Sequence, residues 1–177
     1  MLTSPLRLPE AIMSLPTVDI VHRIEFSAAH QLLSPHLSDD ENRATYEPCI
    51  RVHGHNYVLE ATLRGPVDPK TGMVANLNTL AQAMREEIFD QVDHRFLNAD
   101  VPALAHLEVF TSETLVIAFW ELLVAREEEW QPGRLYQLRL LESDDNWVVY
   151  RGPQDQLAPG AGNQESAARH EPLPHTE

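Results

Sequence analysis

The stretch NYVLEATLRG, residues 56–65, places Tyr57, Leu59, Ala61 and Leu63 at every second position against more polar neighbours. A period of two buries one face of a β-strand. Upstream, VDIVHRIEFSAA (18–29) is rich in β-formers with broken alternation and reads as a second strand. Downstream, DPKTG (68–72) is a turn cluster, after which Leu77, Leu80, Met84, Ile88 and Val92 recur at helical spacing from Asn76. A second helix begins where Thr111 or Ser112 can cap it, with an apolar stripe of Leu115, Val116, Phe119, Leu122 and Leu123. REEEW (126–130) reads as a solvated face at its end, closed by Pro132 and Gly133. RLYQLRLLE (134–142) and NWVVYR (146–151) flank a polar turn and predict a hairpin.

The predicted order is therefore ββααββ, an α+β fold with two helices on one face of an antiparallel sheet. A four-stranded sheet has two free edges, and an oligomer that continues the sheet would cover them. Residues 1–17 and 152–177 are rich in Pro, Gly and polar residues and read as mobile tails around a folded unit of 18–151. The first sixteen residues carry three prolines and no continuous apolar run. They read as neither a signal peptide nor a membrane span, so a cytoplasmic protein is expected.

The chain has 13 Lys and Arg against 27 Asp and Glu, a net charge of −14, which argues against a nucleic-acid partner. Its single cysteine cannot close an internal disulfide. That residue, Cys49, stands four positions before His53 in CIRVHGHNY (49–57). His53 and His55 alternate at the entry of a strand and so project from one face. A catalytic zinc site commonly takes three protein ligands, and His30, at the end of FSAAH, supplies the third if the two strands pair. A structural histidine on a strand is the plainer reading of each one alone. His22 and His106 lie in apolar surroundings, and His36 lies in a polar loop.

The spacing of Cys49 from His53 is unlike a paired-cysteine zinc site, which leaves nucleophile or general base as the sharper reading. VDHRFLN (92–98) offers a proton partner: Asp93 can orient His94, and His94 can shuttle a proton with a thiol. Capping or surface roles for this Asp-His pair are the bland alternative.

Taken together, FSAAH, C-x-x-x-HGHNY, DPKTGMV, VDHRFLN, the SET before a helix and LESDDNWVVYRG resemble the 6-pyruvoyltetrahydropterin synthase family, which includes 6-carboxytetrahydropterin synthase. The resemblance covers about residues 20–152. It implies the tunnelling fold, in which ββααββ subunits join their sheets into a barrel, trimers pair into homohexamers and active sites lie between subunits. It implies zinc on His30, His53 and His55, with Cys49 as base and Asp93 and His94 completing a relay. Glu142 in LLES matches the position that anchors the pterin ring, and Glu113 in SET matches a second position near that pocket.

The substrate so implied is 7,8-dihydroneopterin triphosphate, and no nicotinamide motif is present. Two features divide on the product. Asn76-Leu77 resembles pyruvoyl-forming members, whereas the short gap between Cys49 and His53 resembles carboxy-forming ones. The expectation drawn is a zinc-dependent lyase making 6-carboxytetrahydropterin, a queuosine precursor, with loss of triphosphate and acetaldehyde. Its alternative is 6-pyruvoyltetrahydropterin synthase, which releases triphosphate only. A non-enzymatic zinc-binding oligomer ranks lower, because it leaves Cys49, Asp93, His94 and Glu142 unexplained.

Overall fold

The two alternating stretches become two long antiparallel strands, β1 (Thr17–His30) and β2 (His53–Pro66), in a computed structural model that describes residues 15–153. They pair along their whole length, from Thr17 opposite Pro66 to His30 opposite His53. On the far side of β2 lies β4 (Arg134–Leu141), and beyond it β5 (Trp147–Tyr150), the predicted hairpin.

Between the long strands the chain forms α1 (Asp39–Tyr46), which the periodicity did not predict; its Ser38 and Glu41 make a reciprocal capping box. α2 (Leu77–Met84) passes through one wide π turn (Arg85–Phe89) into α3 (Asp90–Val92). The apolar stripe advances four residues at a time through Leu80, Met84, Ile88 and Val92. In a regular helix that step drifts around the axis, and the wider turn keeps all four side chains buried.

A two-residue strand, β3 (Arg95–Phe96), then pairs in parallel with Ala28 and Ala29 of β1. The sheet therefore has five strands in the order β3-β1-β2-β4-β5, not four. α4 (Leu97–Asp100) follows, and α5 (Ser112–Val124) is capped by the Thr111 side chain, which accepts from the Thr114 amide.

The helices cover one face. Tyr57, Leu59, Ala61 and Leu63 of β2 point into a core completed by Leu80, Ile88, Phe119 and Leu123. Each such leucine contributes about 1.5–3 kcal/mol by leaving water. The reading of REEEW as solvated needs correction at its last residue: Trp130 is 1% exposed, because the short 3-10 turn Glu127–Trp130 tucks the ring inward. His106 also departs from expectation; it is exposed and lies 4.0 Å from Glu121 rather than among apolar groups.

The stretches read as tails, 1–17 and 152–177, lie outside the described residues except at their inner ends, where Thr17 opens β1 and Gly152 is buried. No helix among the described residues is long and apolar enough to cross a membrane.

Candidate metal centre and active site

The β1–β2 register decides the site. His30 pairs with His53, and because strand side chains alternate, His30, His53 and His55 project together on the helix-covered face. At the end of β4 the next residue, Glu142, reaches the same point. One ligand atom from each of the four lies within 4.8 Å of all the others. Glu142 Oε1 is 3.2 Å from His30 Nε2 and 3.3 Å from His55 Nε2, and the Nε2 atoms of His30 and His53 are 3.1 Å apart.

The second nitrogens of the rings show what this convergence can hold. His30 Nδ1 donates to the Phe110 carbonyl at 2.8 Å, and His53 Nδ1 donates to the Arg51 carbonyl at 2.7 Å. In the neutral tautomers each ring then turns a bare Nε2 lone pair toward the other and toward a carboxylate. Lone pairs facing one another at that distance repel unless a cation lies between them. His55 Nε2 is buried and, although near Glu142, makes no hydrogen bond there. An orphaned buried imidazole nitrogen beside two others, each oriented by a backbone carbonyl, fits a metal ion.

The electrostatics favour the same state. Burial lowers the His55 pKa, with the His30 and His53 rings adding to it and Glu142 opposing, so the ring stays a neutral ligand. The facing His30 imidazole is the largest influence holding the Glu142 carboxyl below the usual carboxylate range against the cost of burial, and that pull needs positive charge where the two atoms meet, either a proton on Nε2 or a cation.

Two cavities open beside the cluster. One, of about 400 Å³, is lined by Ser112 and Glu113 at the start of α5 and by Glu142 and Trp147; the buried Ser112 hydroxyl lies beside the Glu142 carboxyl. Glu113 and Glu142 thus share a wall. The other, of about 490 Å³, is bounded by Ser27, His55, Asn56, His94 and Arg95.

Asp93 and His94 are bound to each other, His94 Nδ1 donating to Asp93 Oδ2 at 2.8 Å. The Ser27 amide donates to Asp93 Oδ1 at 3.0 Å and is the largest cause of that carboxyl's lowered pKa. The His94 amide returns a bond to the Ser27 carbonyl, and His94 takes a left-handed φ of 56°. Its ring is 80% exposed, so it faces outward from the subunit. Cys49 lies partly buried in the turn after α1, with its carbonyl accepting from the Leu32 amide. Among the described residues no hydrogen bond joins Cys49 to His94. The structure thus brings Asp93 to His94 but does not bond either to Cys49 among the described residues.

One residue of the site was missed from sequence. Tyr57 is fully buried, its hydroxyl has no partner among the described residues, and its ring lies 5.5 Å from that of His55. Burial, then the nearby Glu142 and Cys49 charges, push its pKa upward, so it remains a phenol. The signal was present: Tyr57 is two residues beyond His55 and so on the histidine face, but the alternation marked it only as core.

A family model described as 6-pyruvoyl tetrahydropterin synthase matches residues 19–153. The chain is 40% identical over 136 residues to the 6-pyruvoyl tetrahydrobiopterin synthase of Dictyostelium discoideum, covering 77% of this chain and 97% of that one. It is 41% identical over 135 residues to the protein of the same name from Homo sapiens, covering 75% and 90%. The solved structure of Caenorhabditis elegans 6-pyruvoyl tetrahydropterin synthase superposes with a TM-score of 0.71 at 39% identity, covering 79% of this chain and 99% of that one.

These relatives overturn the expected 6-carboxytetrahydropterin product and the queuosine assignment that went with it. The reason lies in the weight given to the Cys49–His53 gap. That gap spans a turn between α1 and β2, and turns change length at little cost in free energy, so the gap is a poor reporter of chemistry. The chain belongs to the 6-pyruvoyl tetrahydropterin synthase family.

Proposed function

We propose that the protein is a zinc-dependent 6-pyruvoyltetrahydropterin synthase that eliminates triphosphate from 7,8-dihydroneopterin triphosphate. The observation that carries the reading is the convergence of three imidazole nitrogens and the Glu142 carboxylate at the mouth of a polar cavity. The names of relatives about 40% identical over nearly their whole length support the product.

His30, His53 and His55 would hold zinc, which supplies Lewis acidity that makes a substrate C–H beside a bound hydroxyl more acidic. Glu142, an anion accepting through two oxygens, suits the paired N–H donors of a 2-aminopyrimidinone edge. Glu113 and Ser112 sit across the same cavity, where they would limit how the ring enters.

Cys49, as thiolate, takes the proton from that carbon. The thiolate, not the thiol, is the reactive form, so a proton partner must stand beside it. His94, held by Asp93, is suited to that exchange and to returning a proton elsewhere. Because His94 faces outward and does not bond to Cys49 in one subunit, the relay would be completed between subunits. The edges of β5 and of β1 before Ala28, unpaired among the described residues, support the sheet-continuing assembly this requires, a hexamer of two trimers.

The test is to incubate zinc-loaded protein with 7,8-dihydroneopterin triphosphate and identify products by mass spectrometry while assaying acetaldehyde. Pyruvoyltetrahydropterin and triphosphate without acetaldehyde are expected. No turnover by zinc-replete protein would overturn the assignment.

A further inference from the structure

At the end of the sheet opposite the histidines, a cavity of about 470 Å³ opens between the last turn of α5, the start of β4 and the segment leaving β5. Along β2, Arg64, which lines it, is nine positions beyond His55, about 30 Å of strand. Such a volume is in the range of small-molecule sites.

Its lining is unusual for so acidic a chain. Arg64, Arg134 and Arg151 all border it, with Glu127 the one acid among the lining residues, beside aromatic Trp120 and Tyr136. Arg64 is already satisfied: it makes a bidentate pair with Asp19 at 2.6 and 2.7 Å and lies over the Tyr136 ring, 3.3 Å from its centroid. Glu127 is likewise engaged, accepting from the Leu135 amide at 3.0 Å.

Arg134 and Arg151 differ. Neither makes a salt bridge among the described residues, a condition they share with Arg95, whereas Arg23, Arg43, Arg51, Arg64, Arg85, Arg126 and Arg139 each do. Both are exposed at the rim in the single chain, beyond the last β4–β5 pair, Leu138 with Tyr150. The backbone that presents Arg151 is fixed by Gly152, which packs against the Trp120 ring.

We infer that this cavity is a second ligand site, remote from the metal centre, for a small aromatic anion: a flat ring lying against Tyr136, with its phosphate or carboxylate held by Arg134 and Arg151. Guanidinium forks suit either anion, and the aromatic wall sets the preference for a ring over a free ion. Tyr136, already stacked by Arg64 on one side, is held in place to receive it.

The experiment titrates the full-length, metal-loaded protein with phenyl phosphate, benzoate, inorganic phosphate and benzyl alcohol by isothermal calorimetry. Wild type, R134A/R151A and H55A are compared, each first checked by circular dichroism and thermal melting. Phenyl phosphate or benzoate is expected to bind wild type and H55A alike, and to bind R134A/R151A at least tenfold more weakly. Inorganic phosphate should bind more weakly than phenyl phosphate, and benzyl alcohol should not register.

Equal binding by R134A/R151A would overturn the inference. So would loss of binding in H55A alone, which would place the anion at the metal centre, and so would benzyl alcohol binding as tightly as benzoate. No binding of either aromatic anion to wild type would overturn it as well. Should R134A/R151A fail to fold, the charge-preserving R134K/R151K serves instead, with an intermediate weakening expected from loss of the planar forks.

Discussion

Replacing Gly152 by alanine should cost the protein about 3 kcal/mol. Gly152 has a φ of +80°, and a β-carbon there would lie 2.5 Å from Trp120 Cζ2, with two further ring atoms at 3.0 and 3.1 Å. The backbone conformation alone costs an L-residue about 1–2 kcal/mol. The contact adds about 1–3 kcal/mol of overpacking, because Trp120 is 8% exposed and wedged edge-on against Tyr150 and cannot swing away.

Gly72 separates the two contributions. It has a φ of +71°, but a β-carbon there would meet nothing within 4 Å, so alanine should cost only the backbone share. Urea titrations of both variants should show lower midpoints at unchanged slope, with the Gly152 variant displaced about two- to threefold further. Its melting temperature should fall by about 6–12 °C. Equal losses at the two positions would show that the Trp120 contact carries no weight and would refute the reasoning.

Four further outcomes are expected. Cys49→Ala should lower kcat by about 10²–10⁴, the range of a lost acid–base group, while the circular dichroism spectrum and bound-metal content stay those of wild type. Chelation should lower the melting temperature, since metal at a hundred times its Kd stabilises the folded state by about 2.7 kcal/mol; His53→Ala should melt at the same temperature with and without chelator. Asp93→Asn should be less stable than wild type at pH 7. Because the folded-state pKa of Asp93 is lowered, its stabilisation is present above about pH 4 and lost as pH falls further, so the two melting curves should converge in acid. Trp130→Ala should cost about 3–5 kcal/mol by urea unfolding, where a solvated residue would cost almost nothing.

Much of the fold was legible because its signals are local. Leu59, Ala61 and Leu63 alternate, and Leu115, Val116 and Phe119 recur at helical spacing, so the sequence carries those faces directly. The strand that escaped, β3, is two residues long and is held by its pairing with Ala28 and Ala29, which no window of sequence records. α1 escaped because it has no apolar face; Asn42 is its only buried residue, and the capping box at Ser38 and Glu41 is what marks its start. Trp130 was hidden by three preceding glutamates, which mark their own side chains as solvated but say nothing of the next one.

At the site, HxH alternation put His53 and His55 on one face, and the expected pairing of the two strands brought His30 to them; the register itself is visible only in the structure, since a long connection containing α1 joins the strands. Glu142 was legible only through family resemblance, because nothing in its neighbourhood of sequence aims it at a histidine on another strand. The unpaired Tyr57 hydroxyl needed coordinates, as satisfaction of a buried polar atom is a property of the packed interior.

The shortness of β3 has one more consequence. It covers β1 only at Ala28 and Ala29, and Asp93 and His94 hold Ser27, leaving the outer edge of that strand from Thr17 to Phe26 without a ladder among the described residues. Along this edge every second amide points outward, and in an isolated subunit those amides would trade their protons for solvent deuterium quickly. The amides between them, bonded to β2, would trade slowly. A deuterium-uptake pattern alternating along β1 would thus report a lone subunit, and its disappearance at higher protein concentration would date the moment another strand arrives.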